Sequence, residues 1–298
     1  MTARVSCRRV RNRYSCQPMN KPSRTVVRNG IAACRSLALP LLFSGPLVDA
    51  APAWQAELTP PAPGAFPKPL PGMLDLEVRW NGMIRAGIVR LEFSPPDATK
   101  VDTYVIRSAA CSQGAGAVLF PYQTHFWSEL APTSLRPRFF HAVETDDRET
   151  VTTTVRHFPD RVESREVNMA LKTGKSKLTE RVLTYSPVFD IFSAMLHVRS
   201  QKLDAGDQIV LVIHPFDNPY LLRVKVQGRE IHNGRKTLRL TLGMRKIDRD
   251  TLELKPYKKL NQDATLWLSD DADRYPVELR AAAFIGEIRA TLAAQRKS

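Results

Sequence analysis

Alternation of apolar and polar residues is the feature that most limits what this chain can fold into. Residues 74–80 read Leu-Asp-Leu-Glu-Val-Arg-Trp, and residues 222–227 read Leu-Arg-Val-Lys-Val-Gln. A period of two is typical of a strand with one buried and one solvated face. Asn-Gly comes after each stretch, at positions 81–82 and 233–234, and suits a tight hairpin turn because both residues tolerate positive φ angles. The pattern predicts two antiparallel hairpins.

Further strand-like segments fill the rest of the chain. The β-branched run at 151–155 and the apolar positions within 167–171 fit the same scheme. Near the end, residues 265–268 and 277–283 flank the polar connection 269–273. From about Gly72 onward there is no second Pro-rich break and no internal repeat. The sequence therefore predicts a single, mostly β domain over residues 73–298, built as an antiparallel meander.

One segment has helical rather than strand periodicity. Its apolar residues recur at i, i+3, i+4, i+7 and i+8, which places them on one side of a helix. They are Val188, Ile191, Phe192, Met195 and Leu196. Ser186 suits the N-cap, Pro187 suits the first helical position, and Asp190 favours the positive end of the helix dipole. We predict one amphipathic helix over residues 187–203 that plugs the open side of a curled sheet.

The N-terminus is typical of an export signal. Residues 1–50 hold nine Lys or Arg and one acidic residue, and a short apolar run at 37–43 leads to Val48-Asp49-Ala50. Small residues at the −3 and −1 positions of a cut after Ala50 are what signal peptidase accepts. Met19 is an alternative start that would leave a signal of ordinary length. We predict a signal peptide over residues 1–50 and a periplasmic or secreted mature protein.

A lipoprotein is the alternative interpretation of the same segment. Residues 31–34 read Ile-Ala-Ala-Cys, which is similar to a lipobox, but the apolar run follows Cys34 whereas a lipobox closes such a run. We therefore expect no acyl chain on Cys34. The apolar run is short and interrupted by proline, so we predict no transmembrane segment in the mature chain. Cys111 is then the one cysteine of the mature chain, and we expect it to be a small buried apolar residue.

Residues 51–72 contain seven prolines and no apolar period. Such a composition predicts an extended, poorly ordered linker rather than a structural element. The whole chain has a formal net charge of +14, but the 35 basic and 29 acidic residues beyond position 50 leave a balance of only +6. Most of the basicity therefore belongs to the predicted signal peptide, and we predict no nucleic-acid partner.

The chain carries no motif of a known catalytic or cofactor-binding site. Its six histidines never occur at metal-ligand spacing, so we predict no metal, no cofactor and no catalytic residue. The cluster Asp270, Asp271 and Asp273 suits a Ca²⁺ site or a catalytic carboxylate pair. The interpretation that we favour is a polar turn, in which aspartate side chains bond to their own backbone.

Trp267 precedes this cluster. In a strand its side chain lies on the face opposite Leu266 and Leu268, because successive side chains alternate. An aromatic surface beside carboxylates is typical of sugar binding, and a packed core residue is the alternative, which we favour. The candidate ligand-binding residues are Trp267, Asp270, Asp271, Asp190 and Arg199.

Two longer stretches resemble signatures of one family. Residues 187–199 read Pro-Val-Phe-Asp-Ile-Phe-Ser-Ala-Met-Leu-His-Val-Arg, and residues 266–277 read Leu-Trp-Leu-Ser-Asp-Asp-Ala-Asp-Arg-Tyr-Pro-Val. Together with Phe-Ile-Gly at 284–286, they resemble the exported bacterial family of unknown function DUF3108, from about Leu74 to Leu292. The resemblance implies a periplasmic or secreted open β barrel or half-barrel, and it carries no established activity or ligand.

Three functions fit these observations. The first, which we favour, is a noncatalytic cell-envelope binding or carrier protein that holds an apolar, amphipathic or glycan ligand in the open barrel. An envelope lipid or polysaccharide is the predicted partner. The second is a glycan-active envelope enzyme, and the third is an envelope assembly protein that recruits partners by its sheet edge. A deep apolar cavity favours the first, facing carboxylates favour the second, and a filled barrel with an exposed edge favours the third.

Overall fold

The computed structural model describes residues 52–66, 71–94, 102–184, 186–215, 218–258, 260, 262–283 and 286–297. The predicted signal peptide, residues 1–50, lies outside the described residues. The strands are β1 (Gly72–Trp80), β2 (Ile84–Ser94), β3 (Tyr104–Ser112), β4 (Gln123–Leu130), β5 (Pro137–Thr145), β6 (Glu149–His157), β7 (Val162–Ala170), β8 (Ser176–Leu183), β9 (Val188–Phe189), β10 (Gln208–Ile213), β11 (Tyr220–His232), β12 (Arg235–Ile247), β13 (Leu254–Pro256), β14 (Ala264–Ser269), β15 (Pro276–Ala283) and β16 (Gly286–Lys297). The helices are a 3-10 helix (Ala53–Glu57), α1 (Ala115–Leu119) and α2 (Ile191–Ser200). Among the described residues, no helix is long and apolar enough to cross a membrane.

All sixteen strands form one sheet. Its order is β8-β7-β6-β5-β4-β3-β2-β1-β16-β15-β14-β12-β11-β10-β9, with β13 paired to β12. Neighbouring strands are antiparallel except β9 and β10, which are parallel. The first and last of the described strands, β1 and β16, meet at the centre, where Val78 pairs with Ala290. The fold is the mostly β antiparallel meander, curled into an open barrel, that the sequence and the family resemblance predict.

Helix α2 packs inside the curl of the sheet, against both of its halves. Phe192 and Leu196 belong to an apolar cluster that includes residues of β1 to β8. Ala194 and Val198 belong to a second cluster, formed mainly with β10, β11, β12 and β14. The predicted helix packed against the sheet is therefore confirmed. Because α2 contacts apolar side chains on two sides, it buries more of its surface than a helix with one apolar stripe would.

The bounds of this helix differ from the prediction. Val188 and Phe189 form β9 and pair with Val212 and Ile213 of β10, so the chain is still extended where the sequence pattern predicts the first turn. The N-cap is Asp190, whose side chain accepts hydrogen bonds from the first turn, and not Ser186. The helix ends at Ser200 rather than at residue 203. Pairing with a distant strand outweighs the local helical signal.

Both predicted Asn-Gly turns are confirmed. Asn81 and Gly82 have φ angles of 48° and 70° between β1 and β2, and Asn233 and Gly234 have φ angles of 51° and 72° between β11 and β12. These positive angles are the ones that an Asn-Gly hairpin turn uses. Helix α1 was not predicted, because five residues are too short to show a helical period.

The Pro-rich segment packs on the domain over its described part, residues 52–66. Trp54 is only 4% exposed, and its indole Nε1 donates a hydrogen bond to the Leu252 carbonyl oxygen at 2.8 Å. Gly64 lies so close to α2 that a Cβ atom there would stand 2.1 Å from the Ser200 carbonyl oxygen. This arrangement differs from the poorly ordered linker that the composition predicts, since one anchoring tryptophan outweighs the prolines around it.

Candidate functional site

Between α2 and the concave face of the sheet, the open barrel has an apolar cavity of about 350 Å³ that is partly open to solvent and is here called the interior cavity. Alternation along each strand places every second side chain on this face, so strands from both halves of the sheet contribute to its wall. The lining residues are Leu76, Val89, Leu91, Ser108, Phe126, Ile191, Phe192, Ala194, Met195, Val198, Leu222, Val224, Leu242, Leu266, Leu268, Pro276, Leu279 and Ala290. Ser108 has the one polar side chain in this set. The interior cavity is therefore suited to hydrocarbon rather than to charged or sugar-like groups.

A second cavity of about 400 Å³, here called the end cavity, lies further along the same strands. Trp80, Ala110 and Ile288 contribute to its wall, as do α1 and the chain that follows it. Phe120 meets Trp80 edge-on, with ring centroids 6.4 Å apart. Cys111, a free and half-buried thiol, also lines this cavity, where we expected a small buried apolar residue. The sequence analysis missed this site, because its wall combines strands distant in the chain.

Asp190 lies at the N-terminus of α2 and is completely buried. One carboxylate oxygen accepts hydrogen bonds from the backbone N–H groups of Phe192 and Ser193, at 2.8 and 2.9 Å. The other accepts one from the Ser128 hydroxyl of β4, at 2.7 Å. Burial raises the pKa of this carboxyl above its ordinary value, against the opposing effect of these hydrogen bonds. The contacts fix α2 against β4, which is a structural role.

Arg199 lies at the other end of α2, against the connection between β14 and β15. Its guanidinium donates to the carbonyl oxygens of Ala272 and Asp273, at 3.3 and 3.1 Å. Arg274 reaches back to the carbonyl oxygens of Arg199 and Lys202, each at 2.9 Å. Burial lowers the pKa of Arg199 to about 10 and also lowers that of Arg274. The two arginines bind the helix end to the turn through carbonyl groups.

The acidic cluster forms a polar turn. One carboxylate oxygen of Asp271 accepts hydrogen bonds from the Ser269 hydroxyl and from the backbone N–H groups of Asp273 and Arg274, between 2.8 and 3.0 Å. Asp270 instead pairs with Arg229 of β11 at 3.2 Å. Such bonding of an aspartate to the backbone that follows it is typical of turns. Within the described ranges, no group of three or more His, Cys, Asp or Glu is placed to hold a metal ion.

Trp267 is 5% exposed and lies on the sheet face opposite the apolar interior. Its ring stacks on His232 with centroids 4.0 Å apart, and its indole N–H donates to Glu230 at 2.6 Å. Arg280 lies over the ring at 5.0 Å. The tryptophan therefore packs under polar side chains of the neighbouring strands, and its stacking surface is occupied by the chain itself.

A buried carboxylate next to Trp267 escaped the sequence analysis. Glu278 accepts hydrogen bonds from Arg280 at 2.6 Å and from Asn233 at 3.0 Å. Burial opposes its ionisation, but these bonds and the charge of Arg280 hold its pKa below the ordinary value. Glu278 pairs across strands with Trp267 and with Thr291. The cluster around Glu278 and Trp267 could have been predicted only if the pairing of these strands had been known.

The five predicted binding residues thus fall into three separate sets of contacts. Arg199 and Asp271 meet at the β14–β15 turn, with Asp270 beside them. Trp267 belongs to the Glu278 cluster, and Asp190 bonds to Ser128 at the opposite end of α2. Their role in binding a ligand stays a prediction. None of the five predicted binding residues lines the interior cavity, whereas Phe192 and Met195 of the predicted apolar stripe do.

The fold and the interior cavity define a mostly β open-barrel protein with an apolar interior. The chain belongs to the DUF3108 family, described as a protein of unknown function, whose model matches residues 75–293. Among solved structures, the chain is similar to a β-barrel-like protein of domain of unknown function DUF1849 from Brucella abortus. The two are 10% identical with a TM-score of 0.49, over 78% of this chain and 99% of the other. Comparison with curated proteins found no match.

Proposed function

We propose that this protein is a noncatalytic cell-envelope carrier that holds an apolar or amphipathic ligand inside its open barrel. The observation that supports the proposal is the interior cavity, whose wall is apolar except for the Ser108 hydroxyl. Its volume of about 350 Å³ falls in the range of small-molecule pockets. Because a ligand there meets almost no hydrogen-bonding groups, affinity would come from burial of hydrocarbon. An acyl chain fits this requirement best.

The envelope location rests on the sequence of the N-terminus. The basic start, the apolar run and the small residues before Ala51 are typical of a cleaved export signal. N-terminal sequencing of protein recovered from the periplasm is expected to begin at or near Ala51. A diacylglyceryl group on Cys34 would contradict the proposed soluble, periplasmic form.

A sugar ligand finds less support than an acyl chain. The one tryptophan that sequence pattern places beside carboxylates, Trp267, is covered by His232 and is bonded to Glu230. The carboxylates Asp190 and Asp270 are engaged with Ser128 and with Arg229, in separate parts of the domain. A polysaccharide would therefore have to displace contacts that the chain already makes.

The proposal is tested by filling the cavity. Ala290 lies on the concave face of β16 and lines the interior cavity, so Ala290→Phe places a ring in that space. The matched control is Ala294→Phe on the same strand, where the side chain is exposed. We expect native mass spectrometry of periplasm-purified protein to detect a co-purified lipid. We also expect Ala290→Phe to weaken binding of the fluorescent fatty acid cis-parinaric acid at least about tenfold.

The control variant should bind cis-parinaric acid as the unchanged protein does, and far-UV circular dichroism should confirm that both variants fold. Unchanged probe affinity in a folded Ala290→Phe protein would contradict ligand binding in the interior cavity. So would the absence of any saturable binding by the unchanged protein.

A second candidate function is supported by β8, which lies at one end of the strand order and, within the described part of the chain, pairs only with β7. Leu178 and Val182 on this edge strand are exposed. An exposed edge with apolar side chains suits addition of a partner's strand, which is the assembly role. Leu178→Lys should abolish capture of a partner if this role is correct, and should leave binding of cis-parinaric acid unchanged.

A further inference from the structure

Exposed apolar side chains gather at one end of the open barrel. They come from the turn between β1 and β2 and from α1 with the residue after it, and we call them the apolar rim: Met83, Ile84, Val118, Leu119 and Phe120. Met83 is 77% exposed and Val118 is 82% exposed. The two segments are held together, because the Gln113 backbone N–H donates to the Ala86 carbonyl oxygen at 2.8 Å. Contiguous exposed apolar groups of this kind mark an interaction surface.

The apolar rim surrounds the end cavity. Ile84, Leu119 and Phe120 each contribute to the rim and to the cavity wall, whereas Met83 and Val118 line neither cavity. The rim is thus the outer border of an apolar space, rather than an isolated patch.

The end cavity borders the interior cavity. Val89 and Ala290 line both. Other residues of the end cavity continue the same face of β1, β2, β3 and β16 toward the rim: Val78, Trp80, Gly87, Ala110 and Ile288. From Leu91 in the interior cavity to Ile84 at the rim, β2 spans seven residues, or roughly 23 Å at about 3.3 Å per residue. One leaflet of a bilayer has a hydrocarbon depth of about 15 Å. The span along β2 exceeds the depth of one leaflet, so the two cavities together offer the length of an extended acyl chain.

Charge and aromatic content favour a lipid surface as the occupant of the rim. Arg85 is exposed next to Ile84, and the Arg289 guanidinium, which pairs with Glu287, lies beside Gly82 at the tip of the same hairpin. Trp80, Phe120 and the exposed Tyr122 line the end cavity, next to the aliphatic side chains of the rim. Apolar tips flanked by cations bind anionic membranes, and aromatic rings are enriched at the depth of lipid head groups.

We propose that the apolar rim docks on the surface of an anionic phospholipid bilayer, and that the end cavity is the port through which an acyl chain passes into the interior cavity. The port rests on the proposed carrier function, but docking itself does not require it. Met83 and Val118 insert into the bilayer, Arg85 meets the phosphate groups, and Leu119 and Phe120 border the opening.

The test uses the full chain and vesicles of equal parts phosphatidylglycerol and phosphatidylethanolamine. The double variant Met83→Glu with Val118→Glu places two carboxylates on the rim without touching either cavity wall. The matched control is Ile231→Glu, which changes an apolar residue 69% exposed on the β11–β12 hairpin. We expect flotation to show that the unchanged protein and the control bind vesicles equally. The double variant should bind at least about tenfold less, since like charges repel it from the surface.

A second measurement separates this inference from the carrier function. Binding of cis-parinaric acid in solution, without vesicles, should be the same in the double variant as in the unchanged protein, because Met83 and Val118 line neither cavity. Transfer of the probe from preloaded vesicles should be slowed in the double variant only.

Each of the other possible outcomes would contradict a specific part of the proposal. Absence of vesicle binding, with soluble probe binding intact, overturns docking and leaves the carrier function standing. Vesicle binding without probe binding overturns the port and the carrier function together. Equal vesicle binding by the double variant shows that another surface docks. Self-association that the double variant abolishes, without any vesicle binding, assigns the apolar rim to a second copy of the chain and overturns the proposal.

Discussion

At the scale of single residues, two histidines lie in surroundings that oppose their protonation. Both ring nitrogens of His157 are buried, and neither has a hydrogen-bond partner among the described residues. Burial lowers the pKa of His157 to about 3, and the charges of His214 and Arg136 act in the same direction. His197 on α2 is completely buried, and burial followed by Arg136 lowers its pKa to about 4. Both rings are therefore neutral in the folded protein near pH 7.

We expect the free energy of unfolding to decrease as the pH falls below 6.5. The unfolded chain takes up a proton on each histidine near its ordinary pKa of 6.5, whereas the folded chain does so only near 3 or 4. Each group then contributes a slope of about 1.4 kcal/mol per pH unit between those values, and nothing above 6.5. Urea unfolding at about pH 7, 6 and 5 measures this slope.

The variant that isolates one of the two groups is His157→Gln, and its matched control is His125→Gln, where the ring is exposed. His157→Gln should reduce the slope between pH 6.5 and pH 5 by about 1.4 kcal/mol per pH unit, since the contribution of this ring is gone. The control should keep the full slope. A slope in His157→Gln equal to that of the unchanged protein would show that this ring already titrates normally when folded.

At the scale of secondary structure, helix α2 connects the two halves of the core. Phe192 packs against both Phe126 and Phe140, with ring centroids 6.2 and 6.4 Å away. Its neighbour Ile191 also borders the interior cavity but is partly exposed. Phe192 therefore anchors the helix on β4 and β5, in the first half of the sheet.

Phe192→Ala should lower the free energy of unfolding by about 3–5 kcal/mol, because it removes a buried ring and enlarges a cavity. Ile191→Ala on the same helix is the control and should cost about 1 kcal/mol or less. Urea unfolding followed by far-UV circular dichroism measures both. A loss below about 1 kcal/mol for Phe192→Ala would show that α2 does not plug the sheet.

The sequence pattern predicted those parts of the fold that depend only on residues close together in the chain. The Asn-Gly turns and the strands beside them follow from neighbouring residues, and both were found where the sequence places them. The start of α2 was misplaced, because Val188 and Phe189 pair with a strand some twenty residues away along the chain. The binding residues chosen from the sequence include four charged side chains, whereas the interior cavity is apolar and is lined by ten elements of the fold. Apolar residues in alternating strands predict a buried face, but whether that face is filled or hollow depends on the curl of the sheet.

At the scale of the whole molecule, distant parts of the chain close the fold. β1 and β16 pair along nearly their whole length, which joins the two ends of the described domain. The segment 52–66 adds a second connection: Thr59 donates its backbone N–H to Val210 on β10, and Glu57 pairs with Arg223 on β11 at 2.8 Å. Phe66 lies under the Arg274 guanidinium at 3.2 Å. The Pro-rich segment thus contacts the second half of the sheet at several points.

Trp54→Ala tests whether this segment belongs to the folded domain. The indole is 4% exposed, it is part of the main apolar cluster, and its N–H donates to the Leu252 carbonyl oxygen. Removal of the indole should therefore lower the free energy of unfolding by about 3–5 kcal/mol. The control is Trp127→Ala, which removes a ring that is 38% exposed on β4 and should cost about 1 kcal/mol or less. Urea unfolding of both variants measures the difference. If Trp54→Ala costs no more than the control, the domain is stabilised from about residue 73 onward, as the sequence predicts, and the segment before it only rests on its surface.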